Sequence, residues 1–449
     1  MNKFIKRLEE KILNPVDDLS ALSAEEQFKM LKVRASVMDN SIVPANGLLE
    51  KLQASKKTGI PLRVKFGIDP TGSEIHIGHA VSLINLKMLQ RMGHKIILVI
   101  GDFTATIGDP SGRVEDRPPL TKEDVHRNMA TYQEQAAKII DLSDNRVEKH
   151  YNSEWMDDIK LSDWLRVIKK ISVNSLMQRD DFRNRMRAGS SLSVAEMEYA
   201  LFMGYDSVIL KPDLELGGID QYLNLTFCRD LMSNAGQKPE VFITYDLLPG
   251  TTGEKDRYGR YVKMSKSKHN YIPVMSTPED MYGKVMSMPD DVMWIWYKAL
   301  IEITPSELML LQKSVESGSV HPKEAKQLLA RSVVAIFNHF DKNIVRKAEE
   351  HFNERFGKEA KTIPTNIREI QYTQNNLRLI DVFREATGRT GNALRTLAIQ
   401  GGLKRLSEDG TNSSVSVDDL MQSVSDSRNT NFRVGKKDFL RIVQGRTRE

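Results

Sequence analysis

Two apolar runs, LRVKF at Leu62–Phe66 and KIILVIG at Lys95–Gly101, bracket a helical pattern that extends to Arg91 and Met92 and closes on Gly93. Strand, helix, strand in that order is a βαβ unit, which commits the chain to a parallel sheet with a right-handed crossover. Between the first strand and the helix lies FGIDPTGSEIHIGH, a turn bearing proline, glycine and two histidines. Parallel sheets bind ligands where strands end and helices begin, because unpaired backbone N–H groups point outward there. Gly78 lets a ring or phosphate approach the backbone, and His76 and His79 carry ring N–H groups suited to phosphate oxygens. Alone, the pair reads equally well as a helix start with solvent-facing rings.

The rest of the chain fills in around that unit. Residues 1–60 read as polar helix, with SAEEQ at Ser23 as a helix start. Strand-like runs return at LELGG (Leu214 onward) and VFITY (Val241 onward), separated by a helix around Leu223–Met232. The reading is an α/β domain at 61–275, a Rossmann-like doubly wound sheet, with an amphipathic helical insertion at about 121–193. A helical domain follows at 276–356, then a polar, non-periodic linker at 357–376, then a small α+β module at 377–449.

Composition excludes several classes. With 449 residues, 40% apolar and 28% charged, the chain is an ordinary globular protein of two or three domains. The single cysteine, Cys228, rules out an internal disulfide or a Cys-based zinc site and reads as a packed side chain. The longest strongly apolar run, IILVIG, is too short to cross a bilayer, and MNKFIKRLEEKILNP lacks the apolar core of a signal peptide, so a cytoplasmic protein is expected. A net charge of +5 permits a nucleic-acid partner without requiring one.

A second motif lies downstream. YVKMSKS at Tyr261–Ser267 follows the Gly-rich, charged loop GTTGEKDRYGR. Lys263 and Lys266, three residues apart in a loop, suit closure over a polyphosphate, although lysines in loops are commonly just solvated. GxxxxGK[ST] is absent, so a P-loop is not the means of holding phosphate.

HIGH at His76–His79 and KMSKS at Lys263–Ser267 match both signatures of class I aminoacyl-tRNA synthetases, in order. With FGIDPTGSEIHIGH, GDFTATIGDPSGR, EYALFMGYDS and ELGGIDQ they closely resemble bacterial tyrosyl-tRNA synthetases, over most of residues 30–350. Lys65, before Phe66-Gly67, resembles the subgroup with lysine there rather than tyrosine. The resemblance implies attack of the tyrosine carboxylate on the α-phosphorus of ATP, which arrives with Mg²⁺, then transfer to the 3′ end of tRNA. It implies no resident metal. It places His76, His79, Lys263 and Lys266 on the phosphates, and Asp69 and Thr71 beside the reacting centre. Gly67, Gly78, Asp220, Met264, Ser265 and Ser267 would meet ATP. Lys65, Thr104, Asp109, Tyr199, Met203, Asp206 and Gln221 would form the amino-acid pocket. Asp206 would accept the phenol proton; phenylalanine would leave that acceptor unpaired.

Tyr199, Met203 and Asp206 stand at i, i+4 and i+7, one face of a helix. Met203 replaces the glutamine usual in the family, and a thioether is a poor acceptor. Ile219 likewise replaces a small polar residue in GG-x-DQ. Two readings follow: a relaxed tyrosine pocket, or a paralogue that activates a modified or β-amino tyrosine or serves a non-tRNA acceptor. The C-terminal module resembles an S4-type RNA-binding domain, with Arg389, Arg395, Lys404, Arg405, Lys436 and Lys437 as candidate phosphate contacts. An acidic, Ser-rich insert, SEDGTNSSVSVDDL, interrupts it. The resemblance also implies a homodimer with the helical insertion at its interface.

Overall fold

The computed structural model describes residues 3–36, 41–111, 120–356, 367–372, 377–407, 412–424, 430–435 and 438–444. It divides into two compact units, 1–346 and 347–449. The first is built on a six-stranded sheet: β1 Ile42–Val43, β2 Arg63–Ile68, β3 Lys95–Ile100, β4 Val147–Tyr151, β5 Leu214–Gly218 and β6 Val241–Tyr245. The spatial order is β1-β6-β5-β2-β3-β4, parallel throughout except for β1 against β6. From β2 the chain builds outward through β3 and β4, then returns to the other side of β2 with β5 and β6. The direction of winding therefore reverses between β2 and β5, where doubly wound sheets open a crevice.

That opening is visible in the register. β2 and β3 pair over six residues, whereas β2 and β5 pair only at Val64–Leu214 and Lys65–Glu215. Lys65 and Glu215 are thus neighbours on one face, and their side chains form an ion pair at 2.9 Å, with 1% and 0% of each exposed. Lys65 Nζ also donates to Ser207 Oγ at 2.7 Å and to the Met203 carbonyl at 3.1 Å. One ammonium group therefore ties β2 and β5 to the helix Val194–Leu210.

The helices begin where the side chains cap them. Ser23 and Glu26 form a capping box on the helix Ala24–Arg34, and Ser193 and Glu196 form another on Val194–Leu210. His76 Nδ1 accepts from the His79 N–H at the start of Ile77–Arg91, which closes at Met92 and Gly93, the latter at φ 91°. The helix Val194–Leu210 packs on Tyr222–Asn234 at Gly204, where a Cβ would stand 3.2 Å from Leu231 and 3.3 Å from the Cys228 and Phe227 backbone. Cys228 itself is fully buried.

Three expectations need correction. The N-terminal segment is not helix alone: β1 adds to β6 through a two-residue pairing too short to leave a pattern. The insertion contains β4, whose polar VEKHY forms the sheet's edge, is paired only with β3 and is nowhere fully buried. The expected linker contains a strand, β7 Arg368–Tyr372; its other residues, 357–366 and 373–376, lie outside the described ones. Between 276 and 356 the described elements are helices, from Pro278–Ser287 to Lys342–Phe356.

In the second unit β7 pairs in parallel with β11 (Asp438–Gln444), in a sheet ordered β7-β11-β10-β8-β9. Here β8 is Leu403–Leu406, β9 Ser413–Ser414 and β10 Asn431–Val434. The helices Leu379–Thr387 and Gly391–Ile399 cover a core that includes Phe383, Leu394 and Phe432.

Lys65→Met strands the Glu215 carboxylate in a dry site. Loss of one partner of a buried pair costs about 3–5 kcal/mol. The urea midpoint should fall accordingly, and Lys65→Met combined with Glu215→Gln should recover part of the loss.

Candidate active site

The crevice between β2 and β5 is a cavity of about 310 Å³. Its walls include Lys65, Gly67, Asp69, Thr71, Gly78, His79, Thr104, Asp109, Tyr199, Met203, Asp206, Asp220 and Gln221, whereas His76, Lys263, Met264, Ser265, Lys266 and Ser267 are not among the lining residues. Ile219 is not among the lining residues, which leaves Met203 as the polar-to-apolar exchange that touches the cavity.

Asp206 lies buried at its floor. Trp155 Nε1 donates to it at 2.9 Å and Asn152 Nδ2 approaches at 3.5 Å. Burial pushes its carboxyl up to about 7, opposed by the charge of Lys65 and by these hydrogen bonds. Lys65 supports this floor from behind, its ammonium directed to Glu215, Ser207 and the Met203 carbonyl rather than presented as a ligand contact. Ser207 also hydrogen-bonds Glu240, whose carboxyl is held well above its usual range by burial and by the neighbouring Glu215. Glu215, Cys228 and Glu240 place possible metal donors within 4.8 Å of one another, but the Lys65 ammonium already neutralises this group.

Midway along the cavity, Asp69 accepts from Thr104 Oγ1 and from the Tyr199 hydroxyl, each at 2.8 Å. A Cβ on Gly101 would fall 2.0 Å from Asp69 Oδ1 and 2.3 Å from Thr104 Oγ1, so only glycine leaves room for this pair. Gln221 Nε2 donates to Asp109 at 2.7 Å, while its oxygen accepts from Asn224 at 2.8 Å. Gln221 is thereby a brace that orients Asp109.

At the other end His76 and His79 stack, with centroids 3.6 Å apart and planes 16° from parallel. Burial, then His79, Lys266 and Lys263, depress His76 to about 2; burial, Lys266 and Lys263 depress His79 to about 4. The larger shift falls on His76, which also feels its stacked neighbour His79. Both imidazoles are neutral at pH 7. Lys263 Nζ is 3.6 Å from Asp220 Oδ2, and Lys266 Nζ lies 3.3 Å from where a Cβ on Gly72 would be. Met264 is buried and its sulfur accepts from the Gly78 N–H at 3.3 Å, pinning the lysine loop against the helix start. Ser265 and Ser267 hydroxyls meet at 3.2 Å within the loop. The four basic side chains thus share one mouth, with two neutral donors beside two cations, an arrangement suited to a polyanion.

In the second unit Arg389 is paired with Asp438 at 3.0 Å, which removes it from the freely presented cations. Arg395 is exposed on Gly391–Ile399, and Lys404 and Arg405 are half-buried on β8. Lys404 faces Arg433 of β10 across the sheet. Lys436 and Lys437 lie outside the described residues.

Sequence reasoning missed Asn152, Trp155 and Gly101. The first two follow the carboxyl end of β4, so finding that strand in EKHYNSEW was the signal needed. Gly101 stood in plain view at the end of KIILVIG.

Residues 56–357 match the family model of the tRNA synthetases class I (W and Y). The chain belongs to this family. It is 41% identical over 376 residues to a tyrosine–tRNA ligase of Cupriavidus pinatubonensis, covering 83% of this chain and 87% of that one. A tyrosine–tRNA ligase of Thermotoga maritima is 36% identical over 429 residues, 95% of this chain and 100% of the relative. Among solved structures, the truncated mitochondrial tyrosyl-tRNA synthetase of Aspergillus nidulans superposes with a TM-score of 0.58 at 19% identity, over 78% of this chain and 97% of that one. The Archaeoglobus fulgidus tyrosyl-tRNA synthetase with L-tyrosine gives 0.56 at 21%, over 73% and 99%. These two likenesses show the class I synthetase fold.

His76 and His94 (His94 also held down, to about 4) are buried neutral in this class I synthetase and protonate readily only when unfolded. The unfolded chain therefore binds more protons below about 6.5, and stability should fall as pH drops from about 6.5 toward 4. Urea midpoints across that range check the sign, and Lys266→Gln should raise the His79 pKa read by NMR.

Proposed function

We propose that the chain is a tyrosine–tRNA ligase: it joins tyrosine to AMP at the expense of ATP and passes the tyrosyl group to the 3′ end of tRNA. The observation that carries this reading is the single cleft with a buried carboxylate at one end and a basic, neutral-imidazole mouth at the other. The tyrosine ring enters toward Asp206, its hydroxyl donating to the carboxylate that Trp155 and Asn152 hold in place. Its ammonium meets Asp109 and the Tyr199 oxygen. Its carboxylate then stands near Asp69 and Thr71, facing the α-phosphorus.

The acid–base demands of the step are small, so positioning and charge do the catalysis. The carboxylate oxygen bonds to phosphorus as the bridging oxygen to pyrophosphate leaves. His76 and His79 donate to phosphate oxygens without adding charge, and Lys263 and Lys266 neutralise the departing pyrophosphate. Gly67, Gly78 and Asp220 meet the nucleoside, with Met264, Ser265 and Ser267 shaping the loop that closes on it. Mg²⁺ enters as part of the substrate: the donors at this mouth suit phosphate oxygens, and the ion would be held by the triphosphate.

Lys404 and Arg433, opposite one another on β8 and β10, repel unless an anion lies between them. Together with Arg395 and Arg405 they support tRNA phosphate binding by this module. Arg389 acts by holding β11 through Asp438. Leu161, Leu165 and Val173 in the insertion are 73%, 51% and 63% exposed and would be covered by a second copy in a homodimer. We assign the working units as 61–275, 276–356 and 377–449, after an N-terminal segment at 1–60, and the compartment as the cytoplasm. An altered amino acid or a non-tRNA acceptor gains no support from the relatives.

Tyrosine-dependent ATP–pyrophosphate exchange and charging of tyrosine tRNA are the expected activities; absence of exchange with tyrosine overturns the reading. Met203→Gln supplies a better acceptor and should lower KM for tyrosine. An unchanged or higher KM refutes the relaxed pocket.

The Asp206 carboxyl titrates near 7, so KM for tyrosine should rise as pH falls through that value while KM for ATP does not follow. Trp155→Phe removes a hydrogen bond that favours the ionised form and should move the transition to higher pH.

A further inference from the structure

A second cavity, of about 380 Å³, lies at the opposite end of the helix Ile77–Arg91 from the histidine pair. Ile84, Met88, Ile139, Leu300 and Phe340 make its wall largely apolar. Arg34 also lines it, at the end of the helix Ala24–Arg34 and only 6% exposed. Its Nη2 donates to the Leu300 carbonyl at 3.3 Å, and its Nη1 has no hydrogen-bond partner among the described residues.

Guanidinium keeps its proton, so Arg34 is a buried cation with an unanswered donor, an arrangement that costs free energy until an anion arrives. Glu302, whose charge acts on Arg34, is already bound by Arg91 Nη1 at 2.7 Å. Lys87 and Lys138 on the wall are matched in number by Asp17 and Asp141. Arg34 is therefore the surplus charge. The wall is closed by His339 and Phe340, consecutive non-glycine residues at φ 51° and 57°, a left-handed turn that side chains disfavour and that recurs at ligand sites.

We infer that this cavity binds a small organic carboxylate, its charged end on Arg34 and its aliphatic body against Ile84, Met88, Ile139 and Phe340. A cavity of roughly 150 Å³ takes one benzene, so a chain of about eight carbons fits the space here. A monoanion is favoured over a polyphosphate because only one cation of the wall is in excess over its carboxylates, and the rest of the lining is mostly aliphatic. The site is independent of the synthetase cleft and does not rest on the assigned activity.

Octanoate titrated into the full-length protein by calorimetry tests it, with octanamide and acetate as controls. One octanoate per chain should bind, and both controls at least about tenfold more weakly, since one lacks the charge and the other the apolar body. Arg34→Met should weaken octanoate by at least about tenfold. Ile336→Trp, at a partly exposed wall position, should block the site while leaving Arg34 intact, and it decides the matter if Arg34→Met does not fold. No octanoate binding up to about 10 mM, equal binding of octanamide or acetate, or binding unchanged in the folded variants would each overturn the inference.

Discussion

The ion pair between Lys65 and Glu215 is the point from which the active-site cleft is built. β2 and β5 are joined in register only as far as these two residues and then part, so the cleft begins where the pair ends. The same ammonium holds the carbonyl of Met203 and the hydroxyl of Ser207, fixing the helix that carries Tyr199 and Asp206 to the two strands. A buried pair of this kind adds little net stability compared with apolar packing, yet it is expensive to break. Its contribution is geometric: the backbone cannot drift without stranding a charge.

Above this floor, charge is graded along the cleft. The floor holds a carboxylate whose ionisation is suppressed by burial and sustained by Trp155 and the cation behind it. Asp69 and Asp109 in the middle are each committed to neutral donors, Thr104 and Tyr199 for the first and Gln221 for the second. The mouth is basic, but half of its donors are uncharged. An ammonium group followed by a polyanion meets complementary groups in that order.

Much of this was legible because the central strands are largely buried and carry short apolar runs, broken only by single charges such as Lys65 and Glu215. LRVKF, KIILVIG, LELGG and VFITY stand out for that reason, and the two signature motifs mark the mouth. β4 did not stand out: a polar edge strand with no fully buried residue reads like the charged helices around it, and Asn152 and Trp155 were hidden with it. β7 was lost in the same way, its REIQY alternating too weakly to separate from a linker. Lys65 was found by resemblance, but its part in the site depends on the registration of Glu215, some 150 positions away, which no local pattern carries. Ile219 shows the converse error, since an unusual residue in a motif need not face the cavity.

Cys228 has a practical consequence. It is the sole thiol of the chain, wholly buried beside the Lys65–Glu215 pair, and burial holds its pKa well above normal. A thiol so placed is silent to alkylating reagents while the fold is closed. Its rate of modification therefore clocks the opening of the sheet-to-helix junction beneath the cleft, with no label or engineered reporter needed.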